Sequence, residues 1–210
     1  MQAHRIKHTA GVLSSDAMLQ LIVGAKGQTQ PGWIASDLLA PNAQLDIRRA
    51  EDWARHFAPD SIDKILCESV LEHLTFEEGL AACRNFYRYL KPSGRVRIAV
   101  PDRNFRNEAY QWWSVPNGGG QLFSRLFLYA PDEPDHKTFY DYNTLPRLMQ
   151  AAGFRTELLE WFDDAGRFHL RPFHWDDGEV TRSFGHPRVA RLRWLVGFDW
   201  LSLIVDGFKR

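Results

Sequence analysis

Apolar positions in this chain fall into short runs bounded by glycine and proline, and these runs alternate with stretches whose apolar residues recur at helical intervals. Leu19 to Val23 is an apolar run closed by Gly24-Ala25-Lys26-Gly27, the pattern of a buried strand. WIASDL follows Pro31-Gly32 as a second strand ending at Asp37, and QLDI at 44–47 reads as a short third strand leading into a helix over 50–57. A fourth strand runs from Ser61 to Glu68, a fifth is GRVRIAVP at 94–101, a sixth RTELLEWF at 155–162 and a last one LSLIVDGF at 201–208. Between the fourth and fifth, Phe76, Leu80, Cys83, Tyr87 and Leu90 share one helix face. Thr75 and Glu78 have capping-box spacing at its start. Asn143-Thr144-Leu145-Pro146 opens a further helix that Gly153 closes. This alternation predicts a parallel sheet with helices packed on its faces. Two regions stand apart from the pattern. Residues 103–135 carry many aromatics around the NGGG of 117–120 and read as an insertion or lid, and 163–200 has no clear period.

Composition narrows the class without changing this picture. The chain has 210 residues, 44% apolar and 25% charged, which suits a single globular domain over 1–210 and excludes collagen-like, coiled-coil and disordered chains. Lys plus Arg equals Asp plus Glu at 26 each, so no net field gathers nucleic acid. The polar N-terminal stretch argues against a secretory leader, and no run approaches the ~20 apolar residues of a membrane span. Two cysteines, Cys67 and Cys83, fall in a strand and a helix and are read as reduced core thiols of a cytoplasmic protein. A weak peripheral membrane contact is open for 181–210, where six Lys or Arg stand against two acids.

Ligands of open α/β sheets bind beyond the carboxyl ends of the strands. There the first strand offers a glycine loop whose backbone can approach a ligand closely. The second offers Asp37, a carboxylate able to accept from a ribose diol. Asp46 and Ile47 give a polar edge and an apolar face for a purine, and Glu68 and Ser69 close the fourth strand ahead of Glu72-His73. Each signal alone is weak, but their order suits a nucleoside-containing ligand. A P-loop is absent, as is the full G-x-G-x-x-G of dinucleotide binders, which disfavours a nicotinamide oxidoreductase.

LIVGAKGQTQPGWIASDL, SIDKILCESVLEHLTFEEGLAACRNFYRYLKPSGRVRIAVPD and DHKTFYDYNTLPRLMQAAGF resemble the class I S-adenosylmethionine-dependent methyltransferases. The resemblance is greatest to a small bacterial, type 11-like branch that often accompanies sugar and polysaccharide genes. It covers about 19–161, with E-x-V-x-E-H-L and L-K-P-x-G-x-[LV]-R-I-x-V-P-D its most specific parts. It implies an α/β, Rossmann-like fold with a mostly parallel seven-stranded sheet, helices on both faces and an antiparallel last strand. It also implies S-adenosyl-L-methionine as cofactor. Position by position, it puts the methionine part on Gly24, Ala25 and Gly27, the ribose on Asp37, the adenine near Asp46 and Ile47, and the sulfonium near Glu68 and Ser69. Two departures stand out. Only Gln28 to Gly32 separates the loop from the second strand, too little for a crossover helix. Lys26 takes a place where the family more often has a small residue, and there it either pairs with the cofactor carboxylate or crowds it.

Methyl transfer is an in-line displacement that needs positioning and desolvation, with no metal and no nucleophilic triad. A base matters only for a protonated acceptor. His136 is the first candidate, with His73 and Asp102 next and Asp135 and Tyr140 behind them. His169, His174, Asp176 and Asp177 match no metal motif, so no metal is expected. The expected activity is methylation of a small-molecule or sugar-linked acceptor. The alternative is a non-catalytic member of the fold that serves as a binding or scaffold protein of glycan assembly.

Overall fold

The computed structural model describes residues 18–38, 44–116, 118–119, 136–187, 189 and 201–210. The aromatic residues Phe123, Phe127 and Tyr129, the candidate Asp135 and residues 188 and 190–200 of the basic C-terminal stretch lie outside them.

The seven strands are β1 (Gln20–Val23), β2 (Trp33–Ser36), β3 (Ile62–Glu68), β4 (Leu90–Pro101), β5 (Arg155–Phe162), β6 (Phe168–Leu170) and β7 (Ser202–Phe208). They form one sheet in the order β2-β1-β3-β4-β7-β5-β6. β2, β1, β3 and β4 run parallel, while β7 runs antiparallel to both β4 and β5. The expected antiparallel last strand is therefore present, and β6 adds an antiparallel edge to β5.

Side chains alternate between the two faces of these strands, as a two-residue period requires. Leu21, Val23, Ile65, Cys67, Val96, Ile98, Leu203 and Val205 point to one side and build the larger core. Three helices supply its other half through residues such as Trp53, Phe86 and Leu148: α1 (Ala50–His56), α2 (Phe76–Tyr89) and the later helix Thr144–Ala151. The predicted capping box is complete, with Thr75 Oγ1 accepting from the Glu78 backbone and Glu78 accepting from the Thr75 backbone. Burial pushes the Cys67 thiol well above its usual range and that of Cys83 up to about 12, as inert core thiols require. A further short helix, α3 (Glu108–Ser114), lies in the predicted insertion; the helix Thr144–Ala151 is hereafter α4.

The opposite face is smaller and more polar. Ile22, Leu66, Ala99 and Ile204 point this way and meet Val180 and Phe173 of the segment for which the sequence offered no period. Charge completes the seam. Arg97 is 0% exposed, grips Asp206 through Nε and Nη2 at 2.8 and 2.9 Å, and donates from Nη1 to the carbonyls of His174 and Gly178. Lys64 and Arg95 both pair with Asp177. Residues 171–183 thus cover this face where a crossover helix between β1 and β2 is missing. That link is only two tight turns, Gln28 N–H to the Ala25 carbonyl and Trp33 N–H to the Gln30 carbonyl.

The expected third strand at 44–47 shrinks to one parallel bridge between Asp37 and Gln44. Its would-be ladder groups are spent elsewhere. The Asp46 N–H donates to Asp52, and the Ile47 carbonyl accepts from Trp53 Nε1 and Asn85 Nδ2.

Candidate functional site

At the carboxyl edge of the sheet the chain reverses sharply at two neighbouring strand ends. After β1, Gly24, Lys26 and Gly27 take φ of 64°, 41° and 83°, values that glycine tolerates and lysine pays for. A Cβ at Gly24 would overlap Val70 Cγ2, so only glycine lets β1 and the turn after β3 close on each other, while space is open around Gly27. After β3, Ser69 also has positive φ, 55°. Left-handed non-glycine residues cluster where a site dictates backbone shape.

Asp37 ends β2 beside this loop and accepts from the Lys26 N–H at 2.9 Å. The loop and the candidate ribose acid are thus one unit, tied further by Ala25 N–H to the Ser36 carbonyl. Three further candidates, Asp46, Ile47 and Glu68, are already engaged. Asp46 accepts from Arg48 Nε and Nη2 at 2.8 and 2.7 Å, and this pairing holds its carboxyl below the usual range. The Ile47 side chain is 6% exposed and packs in the larger core. Glu68 turns to residues 181–182, accepting from Thr181 N–H, Thr181 Oγ1 and Arg182 N–H at 3.1, 2.7 and 3.1 Å.

The candidate bases divide clearly. Asp102 is 0% exposed and accepts from the Asn104 and Phe162 N–H groups at 2.8 Å each. It ties the end of β4 to the end of β5, and burial raises its carboxyl to about 7 against those hydrogen bonds. It positions the strand ends through both of its oxygens. Tyr140 is likewise buried, in a bridge with Asp102.

His73 and His136, 63 positions apart in sequence, meet with ring centroids 4.8 Å apart in an edge-to-face contact. They meet because the chain at 136–138 docks on the 3-10 turn Leu71–His73: Lys137 and Thr138 N–H donate to the Glu72 carbonyl and Thr138 Oγ1 to that of Leu74. His136 Nδ1 lies 2.6 Å from the Ser114 carbonyl. A carbonyl only accepts, so Nδ1 carries the proton and the lone pair of the neutral ring sits on Nε2.

Sequence reasoning passed over Glu72. Its side chain is 1% exposed, neither carboxylate oxygen has a hydrogen-bond partner among the described residues, and burial lifts it to about 7. The Glu-His pair after β3 was visible in the sequence, but nothing in it signals a buried acid left unbonded. The four residues read against a metal lie elsewhere on the molecule. His169 pairs with Asp163, Asp177 pairs with Lys64 and Arg95, and His174 and Asp176 belong to the covering segment.

Residues 15–159 match a family described as a methyltransferase domain. Among curated proteins none is significantly similar to the chain. Solved structures share its fold, two of them S-adenosylmethionine-dependent methyltransferases. An S-adenosylmethionine-dependent methyltransferase from Mesorhizobium loti is 14% identical, with 92% of this chain and 91% of that one covered and a TM-score of 0.51. One from Archaeoglobus fulgidus is 16% identical, with 92% and 87% covered and a TM-score of 0.50. No helix among the described residues is long and apolar enough to cross a membrane.

Proposed function

The chain belongs to the methyltransferase-domain family, and from that premise we propose that it moves a methyl group from S-adenosyl-L-methionine to a small-molecule or sugar-linked acceptor. The observation that carries this reading is the joined loop and acid, Gly24 to Gly27 with Asp37 hydrogen-bonded to Lys26 N–H. A backbone turn with open space at Gly27 suits a carboxylate, and an acid at the next strand end suits a diol. When bound, the cofactor supplies an electrophilic methyl group.

The chain's own residues then have three tasks. Gly24, Ala25 and Gly27 hold the amino-acid end by backbone, and Asp37 holds the sugar. Ser69 and the turn behind it wall the reacting side, with Glu68 fixing residues 181–182 against it. His136, with Nδ1 tied to Ser114, is the group assigned to the proton of a hydroxyl or amine acceptor, and His73 packs beside it. Positioning and water exclusion do the rest.

A second reading, a binding or scaffold member of the fold, is favoured by one observation: Asp46 and Glu68 are already saturated by Arg48 and by Thr181 and Arg182. S-adenosylhomocysteine separates the two. At 100 times Kd it stabilises a binder by ~2.7 kcal/mol, which in a domain of this size raises Tm by roughly 5–11 °C. Asp37→Ala should weaken that binding by about 1.5–3 kcal/mol, the range for hydrogen bonds to a charged group. No shift at saturating ligand would leave only the scaffold reading, and unchanged affinity in the variant would remove Asp37 from the site.

A further inference from the structure

We infer that Glu72, His73 and His136 form a binding site for a divalent transition-metal ion of the zinc class. One ligand atom from each lies within 4.8 Å of the other two. In a tetrahedral site with metal–ligand distances of 2.0–2.2 Å, ligand atoms stand ~3.3–3.5 Å apart. Holding an ion therefore asks the three ligand atoms to draw together from their present spread of up to 4.8 Å.

Three features make this more than a chance meeting of polar groups. The first is Glu72, whose carboxylate is buried, directed into the cluster and without a hydrogen-bond partner. Buried polar groups are almost always bonded, and an exception asks for a missing ligand or ion. The second is the outer contact of His136. Its Nδ1–H is held by the Ser114 carbonyl at 2.6 Å, the way metal-bound histidines are normally oriented, with the other nitrogen turned to the ion. The third is how the backbone holds the parts. Lys137 and Thr138 donate to the Glu72 carbonyl at 2.7 and 3.1 Å, so the segment carrying His136 is fastened to the residue that supplies the carboxylate.

Two imidazoles and one carboxylate suit zinc, and cobalt as its stand-in, better than magnesium or calcium, which prefer oxygen alone. Three protein ligands leave a coordination position open, as sites that act on a substrate require. The site lies beside the turn after β3. Resting on the methyl-transfer reading, its use is to hold and polarise an oxygen of the acceptor. With the ion bound, His136 ligates it in place of the base role given above, and the acceptor proton passes to solvent.

Chelator-stripped protein titrated with Co²⁺ tests this without any activity assay. A visible d–d absorption that saturates at one equivalent is expected. Glu72→Gln and His136→Ala should each weaken it at least tenfold, and His169→Ala, which removes a histidine paired with Asp163, should leave it unchanged. Absence of the band, or wild-type affinity in Glu72→Gln, overturns the inference. Glu72→Gln keeps shape and removes only charge, so it decides the matter even if His136→Ala fails to fold by circular dichroism. Thermal shift with S-adenosylhomocysteine is read separately. A cobalt band without that shift keeps the metal site and removes its role in methyl transfer, whereas the shift without the band does the reverse.

Discussion

Asp102 shows how far from a side chain in sequence its partners can lie. At the end of a central strand it has the sequence position of a general base, yet it spends both oxygens on backbone donors up to 60 positions away. Its carboxyl is held near 7 by burial, above the ~3.9 of an unfolded aspartate. The folded protein therefore binds this proton more tightly. The stabilisation is complete below pH ~4 and is lost as pH rises through 7. Asp102→Asn lacks that titration and leaves one N–H poorly served, at a cost of about 1–3 kcal/mol. Urea midpoints from pH 5 to pH 8 should fall more steeply with pH in the wild type than in the variant; parallel curves would mean that Asp102 does not titrate. Glu68 and Glu72 are no easier to read from the sequence. The partners of Glu68 lie 113 and 114 positions away, and the missing partner of Glu72 leaves no mark in the sequence at all.

Elements were legible wherever local pattern and tertiary fate agree. α2 has both its apolar stripe and its cap in the sequence, and β1, β3, β4, β5 and β7 are short apolar runs in a sheet covered on both faces. The misreading at 44–47 arose because Asp52, Trp53 and Asn85 outcompete a neighbouring strand for the same backbone groups. Lys64, Arg95 and Arg97 are polar at alternating positions, which suggests a solvent-facing side; Asp177, Asp206 and the carbonyls of 174, 176 and 178 cover them instead. Among the elements α2 offers the plainest test. Its capping box also links the helix start to Arg48 and Lys137 through Glu78. Thr75→Ala should cost about 0.5–2 kcal/mol, read as a lower urea midpoint with an unchanged slope. Loss below that range would show that Glu78 holds the helix start alone.

On the scale of the whole molecule, the buried Arg97–Asp206 pair joins the middle of the sheet to the covering segment. Removing one partner strands a charge in a dry interior, which costs ~3–5 kcal/mol. Asp206→Ala should therefore lower stability by that much. It should also speed limited proteolysis within 171–183 more than elsewhere, because Arg97 also holds the carbonyls of His174 and Gly178. Uniform cleavage along the chain would show that the pair serves the sheet without fastening the segment. The overall architecture could be read in advance because strand-helix alternation fixes a small menu of topologies. The irregular covering segment could not, since its contacts are long-range charges and carbonyls without a period.

The two-turn link between β1 and β2 has one more consequence. Gln28 and Gln30 donate to the Glu179 carbonyl, and the Glu179 N–H returns to Gln30, so a loop from the first sixth of the sequence is braced by residues emerging some 150 positions later. The turn that carries Gly24 to Gly27 is closed by local bonds, but its brace at Gln28 and Gln30 has to wait for residue 179 to leave the ribosome. Such distant closures are intrinsically slow, so this brace is expected to form late in folding.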